Sequence, residues 1–130
     1  MKLIAKVCGL TTAADARFAR AAGADLLGFV HHPPSPRHCA DIPAASDGSG
    51  DKGVLVMVGE DAEPMIELAR SAGLAWIQPH AGAARERVAR AIKAAGFQVL
   101  LPWPDEPEQE VVEADLYLWE PIPGVTGVQG

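Results

Sequence analysis

The chain has 130 residues, 48% of them apolar and 22% charged. That balance excludes a disordered segment and allows one domain that buries roughly two-thirds of its unfolded surface. With 17 acidic against 11 basic residues the net charge is −6, which excludes a general attraction to nucleic acid or to an anionic membrane.

A first strand is expected over 2–8, then a helix over 12–22 with Ala14, Phe18 and Ala21 turned inward. Ala21, Ala22 and Gly23 close that helix and lead into a strand over 25–30. Pro43, Asp47, Gly48, Ser49 and Gly50 break 40–52, leaving room for at most a short helix before a strand over 53–58. A helix over 61–72 presents Met65, Leu68, Ala69 and Ala72 as its buried stripe, with Asp61 near the end where the helix dipole favours a carboxylate. Ser71, Ala72 and Gly73 end it ahead of a strand over 75–79. The helix over 83–95 buries Val88, Ala91, Ile92 and Ala95 and spaces Glu86 and Arg90 four apart on its outer side, as an ion pair requires. Ala94, Ala95 and Gly96 lead into a strand over 97–101. Pro102, Pro104 and Pro107 break 102–113, and a last strand is expected over 115–119. The small-residue doublet plus glycine at three junctions is helix-to-strand punctuation, since glycine takes the left-handed conformation that ends a helix.

No apolar run nears the roughly 18 residues that span a bilayer, and residues 1–6 lack the long apolar segment of a secretory leader, so the expected compartment is the cytosol. Cys8 and Cys39 have neither CxxC nor histidine spacing, so no disulfide framework or structural metal is expected.

Strands alternating with helices predict an α/β protein with a parallel sheet, either open and doubly wound or part of a (βα)8 barrel. Periodicity does not choose between them. Strand starts about 23 residues apart give about six units, against a barrel of at least about 200 residues, so a barrel would be truncated, with residues 1–130 as one incomplete domain.

In either architecture ligands meet the carboxyl ends of the strands. There the sequence places Cys8, His31 and His32, Gly59 and Glu60, Gln78 and His80, Trp103, and Glu120. A thiol, imidazoles and a carboxylate on one rim are suited to proton transfer. Each also has a plainer explanation: Cys8 as a small buried hydrophobe, Glu120 as a solvated carboxylate, and His31, His32 and His38 as exposed loop residues. As a base, Cys8 would need its thiolate favoured by a cation or a helix N-terminus. Cys39 is given no role.

Lys6-Val7-Cys8-Gly9-Leu10-Thr11, Ala22-Gly23-Ala24-Asp25-Leu26-Leu27-Gly28-Phe29-Val30, Ser35-Pro36-Arg37, Val54-Leu55-Val56-Met57-Val58 and Ile77-Gln78-Pro79-His80-Ala81-Gly82 occur in this order. Together they resemble the phosphoribosylanthranilate isomerases of tryptophan biosynthesis. The resemblance implies a (βα)8 barrel, here truncated to about six parallel strands. It also implies an Amadori rearrangement of N-(5-phosphoribosyl)anthranilate, a small-molecule phosphosugar, to the aminoketose without a cofactor. It gives Cys8 the general-base role, Arg37 a contact with the anthranilate carboxylate, and His80 and Gln78 places lining the substrate. Monomer and homodimer are both compatible with it.

The sequence departs from the family at two points. Asp115-Leu116-Tyr117-Leu118-Trp119-Glu120 puts Glu120 where the family's general acid is an aspartate, a carboxyl moved by about 1.5 Å in a setting where about 1 Å matters. The family's glycine-rich phosphate turn would begin near Gly124-Val125-Thr126-Gly127-Val128-Gln129-Gly130. Two other readings stay open: a non-catalytic truncated relative without a phosphate site, and an open α/β domain that binds a small ligand.

Overall fold

A computed structural model describes residues 4–103 and 111–118 of the chain. Strand and helix alternate: β1 (Lys6–Val7), α1 (Ala13–Ala21), β2 (Leu26–His31), α2 (Ile42–Ala45), β3 (Gly53–Val58), α3 (Ala62–Ala72), β4 (Trp76–His80), α4 (Arg85–Ala94), β5 (Gln98–Pro102) and β6 (Leu116–Leu118). Short 3-10 turns, Gly50–Lys52 and Gly82–Ala84, lead into β3 and α4.

All pairings are parallel and the strand order is β1-β2-β3-β4-β5-β6. A doubly wound sheet reverses its order at a switch point, and this one does not. The open doubly wound alternative is therefore wrong. Right-handed crossovers without a reversal keep every helix on one side, and the six strands curl into a half-barrel.

Side-chain alternation divides the strands between two cores. Leu27, Phe29, Leu55, Ile77, Val99 and Leu101 point outward and pack with Ala16, Ala19, Met65, Ile66, Ala69, Val88 and Ile92 of the helices. Leu26, Val54, Val56 and Leu100 point the other way and form a second cluster on the concave face, with Cys8, Val30, Trp76, Leu116 and Leu118 against it. Burial on both faces is why these strands read as apolar runs rather than as alternation.

The helix ends follow local chemistry. Thr12 Oγ1 accepts from the Asp15 amide at 3.1 Å and Asp61 Oδ1 from the Glu63 amide at 3.2 Å. Gly73 ends α3 in the left-handed conformation at φ 69°. Glu86 and Arg90 meet at 2.6 Å on the exposed side of α4, a pair worth little in water.

The stripe expected for α1 was misplaced. Ala16 and Ala19 are buried, Ala14 and Ala21 are exposed, and Phe18 is 77% exposed. In so alanine-rich a helix two apolar stripes compete, and the smaller side chains allow closer approach to the sheet. In α3 and α4 the core is carried by Met65, Ile66, Ala69, Val88, Ala89 and Ile92, while Leu68, Ala72, Ala91 and Ala95 are half-buried at its margin. Segment 40–52 holds α2 and one 3-10 turn; of 102–113, residues 104–110 lie outside the described residues. No helix among the described residues is long and apolar enough to cross a membrane.

One device occurs twice. Asp25, just before β2, accepts the Ala5 amide at 2.9 Å and donates its own amide to the Ala5 carbonyl at 2.9 Å. Asp115, just before β6, accepts from the Val99 amide at 2.7 Å and donates to the Val99 carbonyl at 3.0 Å. An aspartate here satisfies amides at or just before the start of the preceding strand, and sets the register. Asp115 also accepts from Lys93 Nζ at 2.8 Å and so joins β5, β6 and α4.

Burial alone would raise the Asp115 carboxyl, but the Lys93 and Val99 hydrogen bonds and the Lys93 charge hold it below its ordinary value of 3.8. A carboxyl held down in the folded state stabilises above the unfolded value, and that contribution is lost as pH falls through the folded value. Asp115→Asn is expected to lower stability by about 1 kcal/mol at pH 7. In urea titrations the difference from the parent should fade on acidification below the ordinary value; a gap unchanged down to acid pH would contradict the pairing.

Candidate active site

The carboxyl ends of the strands form one rim, and strand alternation decides which side chains face its concave side. Val56 pairs with Gln78 and Val58 with His80 across β3 and β4. Val56 belongs to the concave cluster, so Gln78 and His80 share its face. Cys8, half-buried one residue beyond β1, packs against the same cluster. Cys8, Gln78 and His80 are thus gathered on one side of the sheet from strands far apart in sequence.

Gly28 of β2 makes the space for this arrangement. A Cβ on Gly28 would lie 3.1 Å from Cys8 Sγ and 3.1 Å from both Cε and Nζ of Lys6. The thiol and the ammonium therefore lie within twice that distance of each other. Lys6 stands two residues before Cys8, a spacing that puts both on one strand face.

Arg37 reaches the same corner from a different element. Gly9 has φ +84°, and a Cβ there would lie 2.9 Å from Arg37 Cδ. The arginine stem therefore lies directly over the residue after Cys8, while the residue as a whole is exposed. The loop after β2 is tied down to hold it. Ser35 Oγ accepts from the Arg37 amide at 3.1 Å, the Cys39 amide donates to the Val30 carbonyl at 2.8 Å, and the Leu10 amide donates to the Gly28 carbonyl at 3.1 Å.

The three loop histidines are half-buried, not exposed as the sequence suggested. His38 Nδ1 accepts from the His32 amide at 3.0 Å, and its ring lies 5.2 Å from that of His31. His31 ends β2 on its outer face; burial, then the neighbouring His38 and His32, push its imidazole below the ordinary value of 6.5. Cys39 is buried in the outer core beneath the loop, and its burial raises the thiol. Trp103 is half exposed and meets Tyr117 edge-on at 5.3 Å.

Gln78 is buried, and its Oε1 has no hydrogen-bond partner. Such an acceptor costs about 1–3 kcal/mol unless water or a ligand meets it. The remaining candidate, Glu120, lies outside the described residues, as does the segment from Gly124 to Gly130.

Comparison with known proteins gives relatives of one kind. The chain is 36% identical over 103 residues to the N-(5'-phosphoribosyl)anthranilate isomerase of Maridesulfovibrio salexigens, across 78% of this chain and 50% of that protein. The crystal structure of phosphoribosyl anthranilate isomerase from Thermus thermophilus superposes with a TM-score of 0.72 at 30% identity, covering 90% of this chain and 62% of that one. A phosphoribosyl anthranilate isomerase crystallised with reduced 1-(O-carboxyphenylamino)-1-deoxyribulose 5-phosphate superposes with a TM-score of 0.62 at 26% identity, covering 80% and 66%. No protein-family model matches. The chain spans about half the length of the curated relatives it matches.

The Gly9 geometry has a measurable consequence. Gly9→Ala places a Cβ at positive φ and against Arg37, and is expected to cost about 1–2 kcal/mol for the backbone alone. Adding Arg37→Ala should relieve the contact and leave the backbone share. A Gly9→Ala protein as stable to urea as the parent would show that residue 9 does not hold this conformation.

Proposed function

We propose that this chain, a relative of the phosphoribosylanthranilate isomerases over about half of their length, carries their acid–base rim. The reaction is the Amadori rearrangement of N-(5-phosphoribosyl)anthranilate. A general acid protonates the ring oxygen as the ring opens, and a general base takes the proton from the second sugar carbon. As the resulting enol becomes the ketone, its 2-hydroxyl gives up a proton and the first carbon takes one, which leaves the aminoketose. Hydrogen moves within one molecule, so no cofactor is required.

Cys8 is the base. The observation that supports this is the place of its sulfur, on the concave face at the end of β1, one residue before Gly9, over which the Arg37 stem lies. A guanidinium fork meets a carboxylate with two hydrogen bonds, which suits Arg37 to the anthranilate carboxylate. Anchoring that end beside the thiol turns the proton transfer into a reaction between held groups. Gln78 offers its unpartnered Oε1 to a sugar hydroxyl, and His80 lines the same side. Glu120 supplies the acid, in the role an aspartate takes in the family. The 130 residues contribute a single, incomplete βα-barrel domain, acting in the cytosol as monomer or homodimer on a small-molecule phosphosugar.

Turnover of the aminoaldose by the protein that carries this chain is the test. Cys8→Ser and Glu120→Gln should each abolish it, on the order of a hundredfold or more, while Glu120→Asp retains or improves it. Undiminished turnover by Cys8→Ser would remove the base assignment, and undiminished turnover by Glu120→Gln the acid. Absence of turnover in the parent would favour the non-catalytic reading.

A further inference from the structure

The ammonium of Lys6 is not accounted for by the roles above. It comes from β1, two residues before Cys8, and reaches the Gly28 position at the same 3.1 Å as the Cys8 sulfur. Residue 28 is fully enclosed, and the neighbouring concave cluster is apolar: Leu26, Val54, Val56 and Leu100. Among the described residues no carboxylate forms an ion pair with Lys6. Lys6 is half-buried, and a cation beside an apolar surface gains from an anion within reach. The sulfur beside it can become an anion.

We propose that Lys6 is the counter-cation of Cys8: its ammonium and the sulfur both border the gap left by Gly28, each 3.1 Å from where a Cβ would stand, and the ammonium favours the thiolate that acts as base. Lys6 is a positioning residue here, acting through Cys8 and not on the substrate. The proposal rests on the isomerase reading for what the thiolate does, but not for its existence. The plainer account, in which the Lys6 stem merely fills the concave face, predicts that a chain of similar length without charge would serve equally well.

Alkylation of Cys8 in the intact chain tests this without substrate, so its outcome is independent of whether the aminoaldose turns over. Cys39 is buried, and peptide mapping assigns the label. With iodoacetamide at pH 7, Lys6→Met is expected to slow labelling of Cys8 about tenfold, the two rates converging at alkaline pH, while Lys6→Arg stays near the parent. Equal rates for Lys6→Met and the parent would overturn the proposal, as would slowing in Lys6→Arg as great as in Lys6→Met. If the Lys6 variants do not fold, a pair of reagents is read on Arg37→Ala, which removes the other cation that the structure brings to this corner. A cation beside the sulfur makes anionic iodoacetate react faster, relative to neutral iodoacetamide, than it does with free cysteine, despite a net charge already −6 in the parent. A ratio at or below that of free cysteine would overturn the proposal.

Discussion

A parallel strand pair brings side chains of neighbouring strands onto one face at a spacing too small for three long groups to share a level. Where β1 passes β2, that limit is met by removing one of them. Gly28 has no side chain, and Cys8 and Lys6 occupy the room a Cβ would need. Glycine in a strand is ordinarily a loss, in backbone entropy and in packing. Here the loss at β2 is what admits a thiol and an ammonium to the concave face, and the other site residues are arranged around that point.

The same economy of space operates one residue later. Gly9 turns the chain at positive φ after Cys8 and leaves its upper surface bare for the stem of Arg37. Two adjacent elements, the β1–α1 turn and the loop after β2, are thereby fixed to each other by contact, and the Cys39 thiol donates to the Thr11 carbonyl at 3.9 Å between them. The loop's own bonds, from Cys39 to Val30 and from His32 to His38, keep it close enough for that contact to persist. The loop histidines serve this anchoring, which explains why they are half-buried although the prolines around them suggest an exposed segment.

Below the rim, stability and placement are divided between the two faces of the sheet. The outer face is a conventional core of strand and helix side chains, and the aspartates before β2 and β6 clip each strand to its predecessor. The concave face is the smaller core and holds Cys8, Gln78 and His80, to which the proposed chemistry is assigned. A strand slip of one residue would exchange the faces, sending Cys8 toward the helices and Val7 inward, so the clips that set register also protect the site.

The sequence by itself determined the alternation of strands and helices, the helix ends at glycine, the Glu86–Arg90 pair and the residues at the carboxyl ends of the first five strands, because these depend on local conformational preference and on periods of two and 3.6 residues. It also carried the motifs that align with the isomerases. It did not decide which alanine stripe of α1 meets the sheet, since both stripes are apolar and only the space beneath the helix selects Ala16 and Ala19 over Phe18. Nor did it decide between an open sheet and a curled one. Strand order is a relation between segments tens of residues apart, and no local pattern encodes it. The meeting of Lys6, Cys8, Gly28 and Arg37 is of the same kind: each residue's type was plain in the chain, but their nearness arises only when two strands and a loop pack against each other.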